Sequence, residues 1–490
     1  MRLLGNFTGA ATSIFSRAAI ALALVLLTMP AASGRAGEEG APSRQAVRKS
    51  PAAPMIAAEA APASDSKDSA ARQVRQLQTL AARGDFDAFV RAAIQSGHNE
   101  SADAQLQILA AEALLSIGDS TDAERMALTA AIKSLDEKKP QLAQRAIKLW
   151  TIARLRQGAS LETPRLAEVF QRIGQGDSSL TALRFWRQQL GGKSPYRLAA
   201  SSRQTRLNMK RTSIANSGAS YELDAVAVEI NRTGLPMVFI DTGAQHTLIT
   251  TEVARAAGVV IGKEATQLVG FSTFSARPAV LPRLRLGELT IYDVPVLVGD
   301  SAALGLSKGQ GALGTDLMHH LRLTLDLPGR SLTAEPIGTR DNAQQPSTES
   351  WDIPLWTFSR ACLAQGQLPN GRYARTLIDT GNCVGTFVSR RWTSGLDQGR
   401  EGADGAPRPR MRNFHLAGLQ LGNETLPRWP VAGTLPRDLE RMGAIDLVIG
   451  YDLLWQYEVT VDLRRRLLRL REARPAERAM SQSRDVSPQR

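Results

Sequence analysis

The sequence predicts a multidomain chain, in which an α-helical repeat domain is followed by a duplicated all-β region. Three observations lead to this fold class. Alanine and leucine recur at spacings of three and four residues between 68 and 192, which is the period of a helix. After about residue 215, polar and apolar residues alternate instead, as they do in strands. The tripeptide Asp-Thr-Gly then occurs twice, at 241–243 and at 379–381, in similar surroundings.

Residues 1–33 have basic, apolar and small residues in the order found in a secretory signal peptide. Arg2 and Arg17 precede an apolar stretch at 18–29, and small residues follow it. The apolar stretch is shorter than the roughly 20 residues that span a bilayer comfortably. We therefore expect an exported protein in a bacterial periplasm; the alternative is a protein held near the membrane by an uncleaved N-terminal segment. Residues 34–67 are rich in Ala, Pro, Ser and Gly, which predicts a disordered linker.

Residues 68–192 are predicted to form the helical domain. Gly84-Asp85 and Gly118-Asp119 each stand between two helical patterns. A helix, a Gly-Asp turn and a second helix, repeated at this spacing, resemble tetratricopeptide-type repeats. Such repeats present a concave surface, so we expect a protein partner there. Spacing the rest of the chain, or packing against it, is the alternative role.

Each Asp-Thr-Gly tripeptide follows an apolar run and leads into a second run with strand character. The aspartates are Asp241, in MVFIDTGAQHTLIT, and Asp379, in RTLIDTGNCVGTFVS. If the two turns face each other, their carboxyl groups cannot both ionise cheaply, so one proton is shared. The ionised group then activates a water, while the protonated group hydrogen-bonds the carbonyl under attack. The residues expected to support the two loops are Thr242, Gly243, Thr380 and Gly381.

Further landmarks repeat downstream of both tripeptides at one constant offset, which indicates a duplicated unit. The matched pairs are Gly314 and Gly450, Asp316 and Asp452, and Asp326 and Asp462, of which the last pair ends strands and is predicted to be structural. The duplication predicts lobes at 215–338 and 351–472, a polar link at 339–350 and a disordered tail at 473–490. The loops themselves differ, since the second has Asn382 in place of Ala244 and one extra residue before Thr386.

With these motifs in both halves, the chain resembles a retropepsin-like aspartic protease of the pepsin and retropepsin clan, with both lobes fused in one polypeptide. In that family an apolar-apolar-Gly motif packs behind each active-site loop. The resemblance implies catalysis by the two aspartates, a protein or peptide substrate, and no metal or cofactor. It also implies β-hairpin flaps at about 269–279 and 402–409. The residues concerned are Leu313, Gly314, Ile449 and Gly450 behind the loops, and Phe271 and Phe274 in the first flap, where lining the cleft and ordinary packing are both open.

Other functions remain as alternatives. A protein of the same fold can bind peptides without cleaving them, and paired acidic-glycine hairpins also cradle phosphates in actin-like ATPases and sugar kinases. His246, His319 and His320 have no zinc-site spacing, so we expect no metal. Cys362 and Cys383 are too few for a disulfide framework and are expected to be buried or bridged. The formal charge of +13 comes from scattered basic residues with few aromatics, so we expect no nucleic-acid partner.

Overall fold

The computed structural model describes residues 26–27, 63–98, 102–173, 180–216, 219–233, 237–269, 273–304, 306–307, 309–337, 350–358, 361–395, 397–398, 414–426, 428–435 and 445–472. Most of the predicted signal segment and linker lies outside these residues, as do the link at 339–349 and the tail after 472. Phe271 and the predicted second flap at 402–409 also lie outside them. The expectations for those segments stay predictions.

The N-terminal part of the chain is helical, as the spacing of alanine and leucine predicts. The first helix begins inside the segment predicted as linker, where alanine and acidic residues suit a first helical turn. No helix in the described ranges is long and apolar enough to cross a bilayer. The helices before residue 191 in these ranges are α1 (Ala63–Arg83), α2 (Phe86–Gly97), α3 (Ala104–Ser116), α4 (Ser120–Asp136), α5 (Pro140–Gln157), α6 (Pro164–Ile173) and α7 (Thr181–Leu190).

The two predicted Gly-Asp turns have the same local chemistry. Gly84 and Gly118 adopt positive φ angles of 75° and 80°, a conformation that glycine accepts without steric cost. Asp85 and Asp119 then cap α2 and α4, because each carboxylate accepts a hydrogen bond from the backbone N–H three residues on. Helix, turn and helix follow as predicted; the assignment to tetratricopeptide repeats stays a prediction.

The rest of the chain is rich in strands, as its alternating pattern predicts. The strands are β1 (Leu26–Leu27), β2 (Arg197–Leu198), β3 (Thr205–Asn208), β4 (Lys210–Asn216), β5 (Ala219–Ala227), β6 (Glu229–Ile230), β7 (Met237–Ile240), β8 (Leu248–Thr250), β9 (Thr266–Val269), β10 (Thr273–Leu286), β11 (Leu289–Gly299), β12 (Gln310–Leu313), β13 (Leu321–Asp326), β14 (Ser331–Pro336), β15 (Ser350–Thr357), β16 (Cys362–Gln367), β17 (Tyr373–Ile378), β18 (Phe387–Val388), β19 (Asp397–Gln398), β20 (Phe414–Leu416), β21 (Gln420–Leu421), β22 (Glu424–Thr425), β23 (Trp429–Val431), β24 (Gly433–Thr434), β25 (Leu447–Ile449), β26 (Tyr457–Asp462) and β27 (Leu467–Glu472). Short helices lie between some of them: α8 (Thr251–Ala256), α9 (Ser301–Leu304), α10 (Thr315–Met318), a 3-10 turn (Arg390–Gly395) and α11 (Tyr451–Leu454).

The strands on either side of the two Asp-Thr-Gly turns pair in the same order. In the first β region (205–337), β7 is parallel to β12, β12 antiparallel to β8, and β8 parallel to β11. In the second β region (350–472), β17 is parallel to β25, β25 antiparallel to β18, and β18 parallel to β24. The strand before each aspartate therefore lies beside the strand that ends in the apolar-Gly motif.

A row of six antiparallel strands joins the two β regions, in the order β3, β14, β13, β26, β27 and β15. At its centre Thr324 of β13 faces Thr460 of β26, with their hydroxyl oxygens 3.0 Å apart. These threonines are separated in the chain by the same offset as the matched landmarks of the two halves. The contact that joins the two β regions is therefore made by residues at matched positions of the two halves.

The helical array, α1 to α7, packs against both β regions. On the second region, the ring centroid of Phe86 lies 5.3 Å from that of Trp356 and 4.9 Å from that of Phe358. On the first region, the indole N–H of Trp186 in α7 donates to Ala279 O at 3.0 Å. The helices and the strands therefore share buried cores.

Candidate active site

Asp241 and Asp379 lie directly after β7 and β17, and both are fully buried. The backbone N–H of Asp241 donates to Leu313 O at 3.0 Å, and that of Asp379 donates to Ile449 O at 2.9 Å. Leu313 and Ile449 are themselves buried at the ends of β12 and β25. The predicted apolar-Gly motifs therefore lie behind the two aspartate loops.

The two threonines of the tripeptides lock one loop against the other. The hydroxyl of Thr242 donates to Ile378 O, and the hydroxyl of Thr380 donates to Ile240 O, each at 2.6 Å. In return, each threonine oxygen accepts the backbone N–H of the other threonine, at 3.1 and 3.0 Å. The buried hydroxyl and N–H groups of both threonines thus find hydrogen-bonding partners in the opposite loop, so the two turns form one unit.

Each tripeptide glycine faces the aspartate of the other loop. A Cβ atom on Gly243 would lie 2.6 Å from Asp379 Cγ, and one on Gly381 would lie 2.5 Å from Asp241 Cγ. Neither glycine has a positive φ, so close approach explains the residue type. The same reciprocity brings the two carboxyl groups close together.

The glycines of the apolar-Gly motifs also stand at close approaches. A Cβ atom on Gly314 would lie 2.5 Å from the carbonyl carbon of His246, in the first loop. A Cβ atom on Gly450 would lie 2.8 Å from Asn382 O, in the second loop. These glycines let the strands behind the site reach the loop backbone.

Burial raises the pKa of both carboxyl groups, and the charge of Asp379 adds to the rise at Asp241. Burial raises the pKa of Asp241 well above its usual value, the neighbouring Asp379 raises it further, and hydrogen bonds from Gly243 N–H (2.9 Å) and Ala244 N–H (3.0 Å) oppose the rise. Burial also raises the pKa of Asp379 to about 7, against hydrogen bonds that include Gly381 N–H at 3.0 Å. Neither Oδ2 oxygen accepts an N–H or O–H from elsewhere in the described part of the chain.

A second pair of aspartates fixes the far end of each loop. Asp316 accepts the backbone N–H and the hydroxyl of Thr247, both at 2.9 Å. Asp452 accepts the same two groups of Thr386, both at 3.2 Å. The matched landmarks found in the sequence therefore make matched contacts.

Tyr196 and Trp429 complete these contacts, and neither was anticipated from the sequence. The Tyr196 hydroxyl donates to Asp316 Oδ2 at 3.0 Å, and the Trp429 indole N–H donates to Asp452 Oδ2 at 3.1 Å. Tyr196 lies before the Asp241 loop in the sequence, whereas Trp429 lies after the Asp379 loop. The two residues are therefore not separated by the offset that relates the other matched pairs. Their shared role is visible only in three dimensions.

The two loops differ where the sequence predicts. Ala244 is fully buried in the first loop, whereas the Asn382 amide spans the longer second loop. Its Nδ2 donates to Gly385 O at 2.7 Å, and its Oδ1 accepts Val384 N–H at 3.1 Å. Gly385 adopts a φ of 131°, which favours glycine at the extra position.

The predicted first flap is a hairpin in its described part, because β9 and β10 pair antiparallel from Thr273–Val269 to Ala276–Thr266. Phe274 lies in this hairpin and is buried. Packing therefore accounts for its residue type, and a role in a cleft stays a prediction.

The cysteines and histidines supply no further chemistry at this site. Cys362 and Cys383 are free thiols, and burial raises the pKa of Cys362 to about 11. Burial lowers the pKa of His246 to about 4, so its ring is neutral where it packs near Trp186. The His320 ring lies 2.9 Å from Leu155 O. Within the described ranges, no group of three His, Cys, Asp or Glu side chains is placed to hold a metal ion.

One family model and one solved structure are similar to parts of this chain. Residues 226–317, which include Asp241 and Gly314, match the family model described as an aspartyl protease. The match supports an aspartic peptidase. Among solved structures, the aspartic proteinase from Irpex lacteus is similar over 55% of this chain and 97% of its own, with 11% identity and a TM-score of 0.35. No curated protein matches the chain.

Proposed function

We propose that the chain is an aspartic endopeptidase with two duplicated retropepsin-like lobes, and that Asp241 and Asp379 are its catalytic dyad. The observation that carries the proposal is the reciprocal set of hydrogen bonds that Thr242 and Thr380 make across the two loops, which holds both carboxyl groups side by side. The equal pairing order of the two β regions and the aspartyl protease match at 226–317 support it.

In this proposal the pair holds one shared proton. The raised pKa values of Asp241 and Asp379 mean that at least one carboxyl group stays protonated at neutral pH. The ionised group removes a proton from a water bound between the carboxyl groups, and that water attacks the peptide carbonyl carbon. The protonated group donates to the carbonyl oxygen as the tetrahedral intermediate forms. Proton transfer to the amide nitrogen then breaks the C–N bond.

The test is cleavage of a peptide library by Asp241→Asn and Asp379→Asn. We expect each change to lower kcat/KM by about 10²- to 10⁴-fold, the usual contribution of a general acid or base, with no effect of chelators on the parent. Asp326→Asn is the matched control, since Asp326 accepts Gly329 N–H in a turn at the end of β13. The proposal would be ruled out if both dyad variants cleaved the peptides with the kcat/KM of the parent.

A catalytically silent peptide-binding protein is the second candidate from the sequence. It predicts that library peptides bind without being cleaved, whatever residues stand at 241 and 379. No contact described above favours it, or the phosphotransferase alternative.

We also propose export to a periplasm, from the N-terminal sequence pattern, and a tetratricopeptide-like helical array that recruits a protein. N-terminal sequencing of the protein from fractionated cells tests export, because a signal peptide that is removed gives a mature chain starting near residue 34. A chain that keeps Met1 and fractionates with membranes would favour the anchor instead.

A further inference from the structure

One side chain of the second β region reaches into the first, close to the aspartate loops. Tyr451 is the residue after Gly450, and its hydroxyl donates to Asp224 Oδ2 at 2.5 Å. Asp224 lies in β5 of the first β region, and its side chain is almost completely buried. The contact therefore links the two regions by a hydrogen bond of the charge-assisted kind.

Two arginines of the first region form ion pairs with the buried Asp224 side chain. Arg211 Nε lies 3.6 Å from Asp224 Oδ1, and Arg330 Nε lies 4.0 Å from the same oxygen. Burial and the Asp224 charge raise the pKa of Tyr451, so its hydroxyl stays protonated and donates. The acceptor is held on the first region by its own ion pairs, which gives Tyr451 a fixed partner.

The backbone of Tyr451 continues this link to the second aspartate. Its N–H donates to Asn382 O at 2.8 Å. The N–H of Asn382 in turn faces Asp379: it donates to the backbone O of Asp379 at 3.3 Å and lowers the pKa of the carboxyl group. A line of contacts therefore runs from Asp224 through Tyr451 and Asn382 to Asp379.

The first loop has the corresponding backbone hydrogen bond, but among the described residues its side chain makes no matching contact with the other β region. Thr315 is the counterpart of Tyr451 at the offset of the matched landmarks, and its N–H donates to Ala244 O at 2.8 Å. Its hydroxyl bonds within its own region, to Gln245 O at 3.4 Å. The register of β5 with β7 and of β16 with β17 makes Cys362 the counterpart of Asp224, and a buried thiol is a weak acceptor. The link thus belongs to the longer loop, which carries the extra residue.

We propose that Tyr451 is a positioning residue, which anchors the second aspartate loop to the first β region through Asp224 and so sets the orientation of the Asn382 N–H toward Asp379. This proposal rests on the proposed endopeptidase function for its kinetic consequences. The partner is a residue of the same chain, so no ligand is needed for the link to form.

The experiment compares Tyr451→Phe with the parent in the full-length protein, by the pH profile of kcat/KM and by hydrogen exchange of residues 379–386. We expect kcat/KM to fall about tenfold, equivalent to about 1.4 kcal/mol. The acid limb of the profile should move to higher pH, because a loosened Asn382 N–H stabilises the Asp379 carboxylate less. Exchange in the loop should be faster. Tyr292→Phe is the control, since that ring packs under Arg197 in the first region.

Variants of the acceptor separate positioning from stability. Asp224→Asn keeps an acceptor for the tyrosine hydroxyl and should retain most of the parental pH profile. Asp224→Ala removes the acceptor and should change the profile as Tyr451→Phe does. The double variant Asp224→Ala with Tyr451→Phe should show no further change. A Tyr451→Phe protein with the parental acid limb overturns the proposal, even if its melting temperature falls. If Asp379→Asn leaves cleavage unchanged, the proposed endopeptidase function is wrong. The hydrogen-exchange result does not depend on that function: unaltered exchange of residues 379–386 in Tyr451→Phe would overturn the proposed anchoring of the loop.

Discussion

At the residue scale, the site needs glycine at two positions, because glycine has no Cβ atom. Gly243 and Gly381 leave space that the opposite carboxyl group fills, at distances where no Cβ atom fits. The aspartates, the threonines and these glycines therefore form one interlocked group. A change at any of them acts on both loops.

Gly243→Ala is expected to abolish cleavage and to lower the free energy of unfolding by about 1–3 kcal/mol, as overpacking does. The new methyl group would lie 2.6 Å from Asp379 Cγ, so the carboxyl groups must separate. Gly433→Ala is the matched control, because a Cβ atom there would meet Phe387 at an ordinary 3.5 Å. Peptide cleavage and urea unfolding measure the two effects, and an active Gly243→Ala protein would contradict the interlocked geometry.

The raised pKa of Asp379 also predicts how stability depends on pH. Its pKa is about 7 in the folded chain and 3.8 as the ordinary value, so the folded state holds the proton more tightly. Its contribution to stability is then fully present below about pH 4 and is lost as the pH rises through about 7. Asp379→Asn cannot lose a proton, so its melting temperature should fall less than that of the parent between pH 4 and 8. Parallel curves for the two proteins would refute this expectation.

At the element scale, the helical array is held to the second β region by Arg156, a half-buried arginine. Arg156 of α5 donates to Leu115 O at 3.0 Å, to Thr357 O at 2.7 Å and to Phe358 O at 2.9 Å. Burial lowers its pKa to about 10, which still leaves it charged at neutral pH. One guanidinium thus satisfies carbonyl groups of α3 and of the end of β15.

Arg156→Met is expected to lower the free energy of unfolding by about 2–4 kcal/mol, because it removes the guanidinium donors of the Thr357 and Phe358 carbonyl groups. Arg125→Met is the control, since that exposed arginine pairs with Asp122 one helical turn away and should change stability by less than about 0.5 kcal/mol. Urea unfolding followed by tryptophan fluorescence compares them. Equal midpoints for the two variants would show that Arg156 does not hold the array in place.

At the scale of the whole molecule, the helical array shields apolar surface of the β regions from water. Phe86 and Phe89 of α2 pack on aromatic and aliphatic side chains of the second β region, including Trp356. Removing the array uncovers that surface to water.

A fragment starting at residue 195 is therefore expected to aggregate or to bind an apolar dye, while the full-length chain does neither. Size-exclusion chromatography and dye fluorescence of the two proteins, purified in parallel, measure the difference. A monomeric fragment with the melting temperature of the full-length chain would show that the β regions need no helical cover.

The sequence predicted those parts of the molecule that local stereochemistry demands. The loops at Asp241 and Asp379 and the apolar-Gly motifs repeat, because each copy needs the same glycines at the same close approaches. Contacts made between distant segments carry no such signature. The pairing of Tyr196 with Asp316, of Tyr451 with Asp224, and the seating of the helices on both β regions arise from tertiary packing alone.

The central pairing of β13 with β26 also bears on the synthesis of the protein. β13 is complete at Asp326, but its partner β26 begins only at Tyr457. At a synthesis rate of 5–20 residues per second, β13 therefore waits roughly 7 to 26 seconds for its partner. During that interval one edge of the first half emerges from the ribosome with its hydrogen-bonding groups unpaired. A chain that stops before Tyr457 never covers that edge, so premature termination should yield an aggregating product rather than a working half.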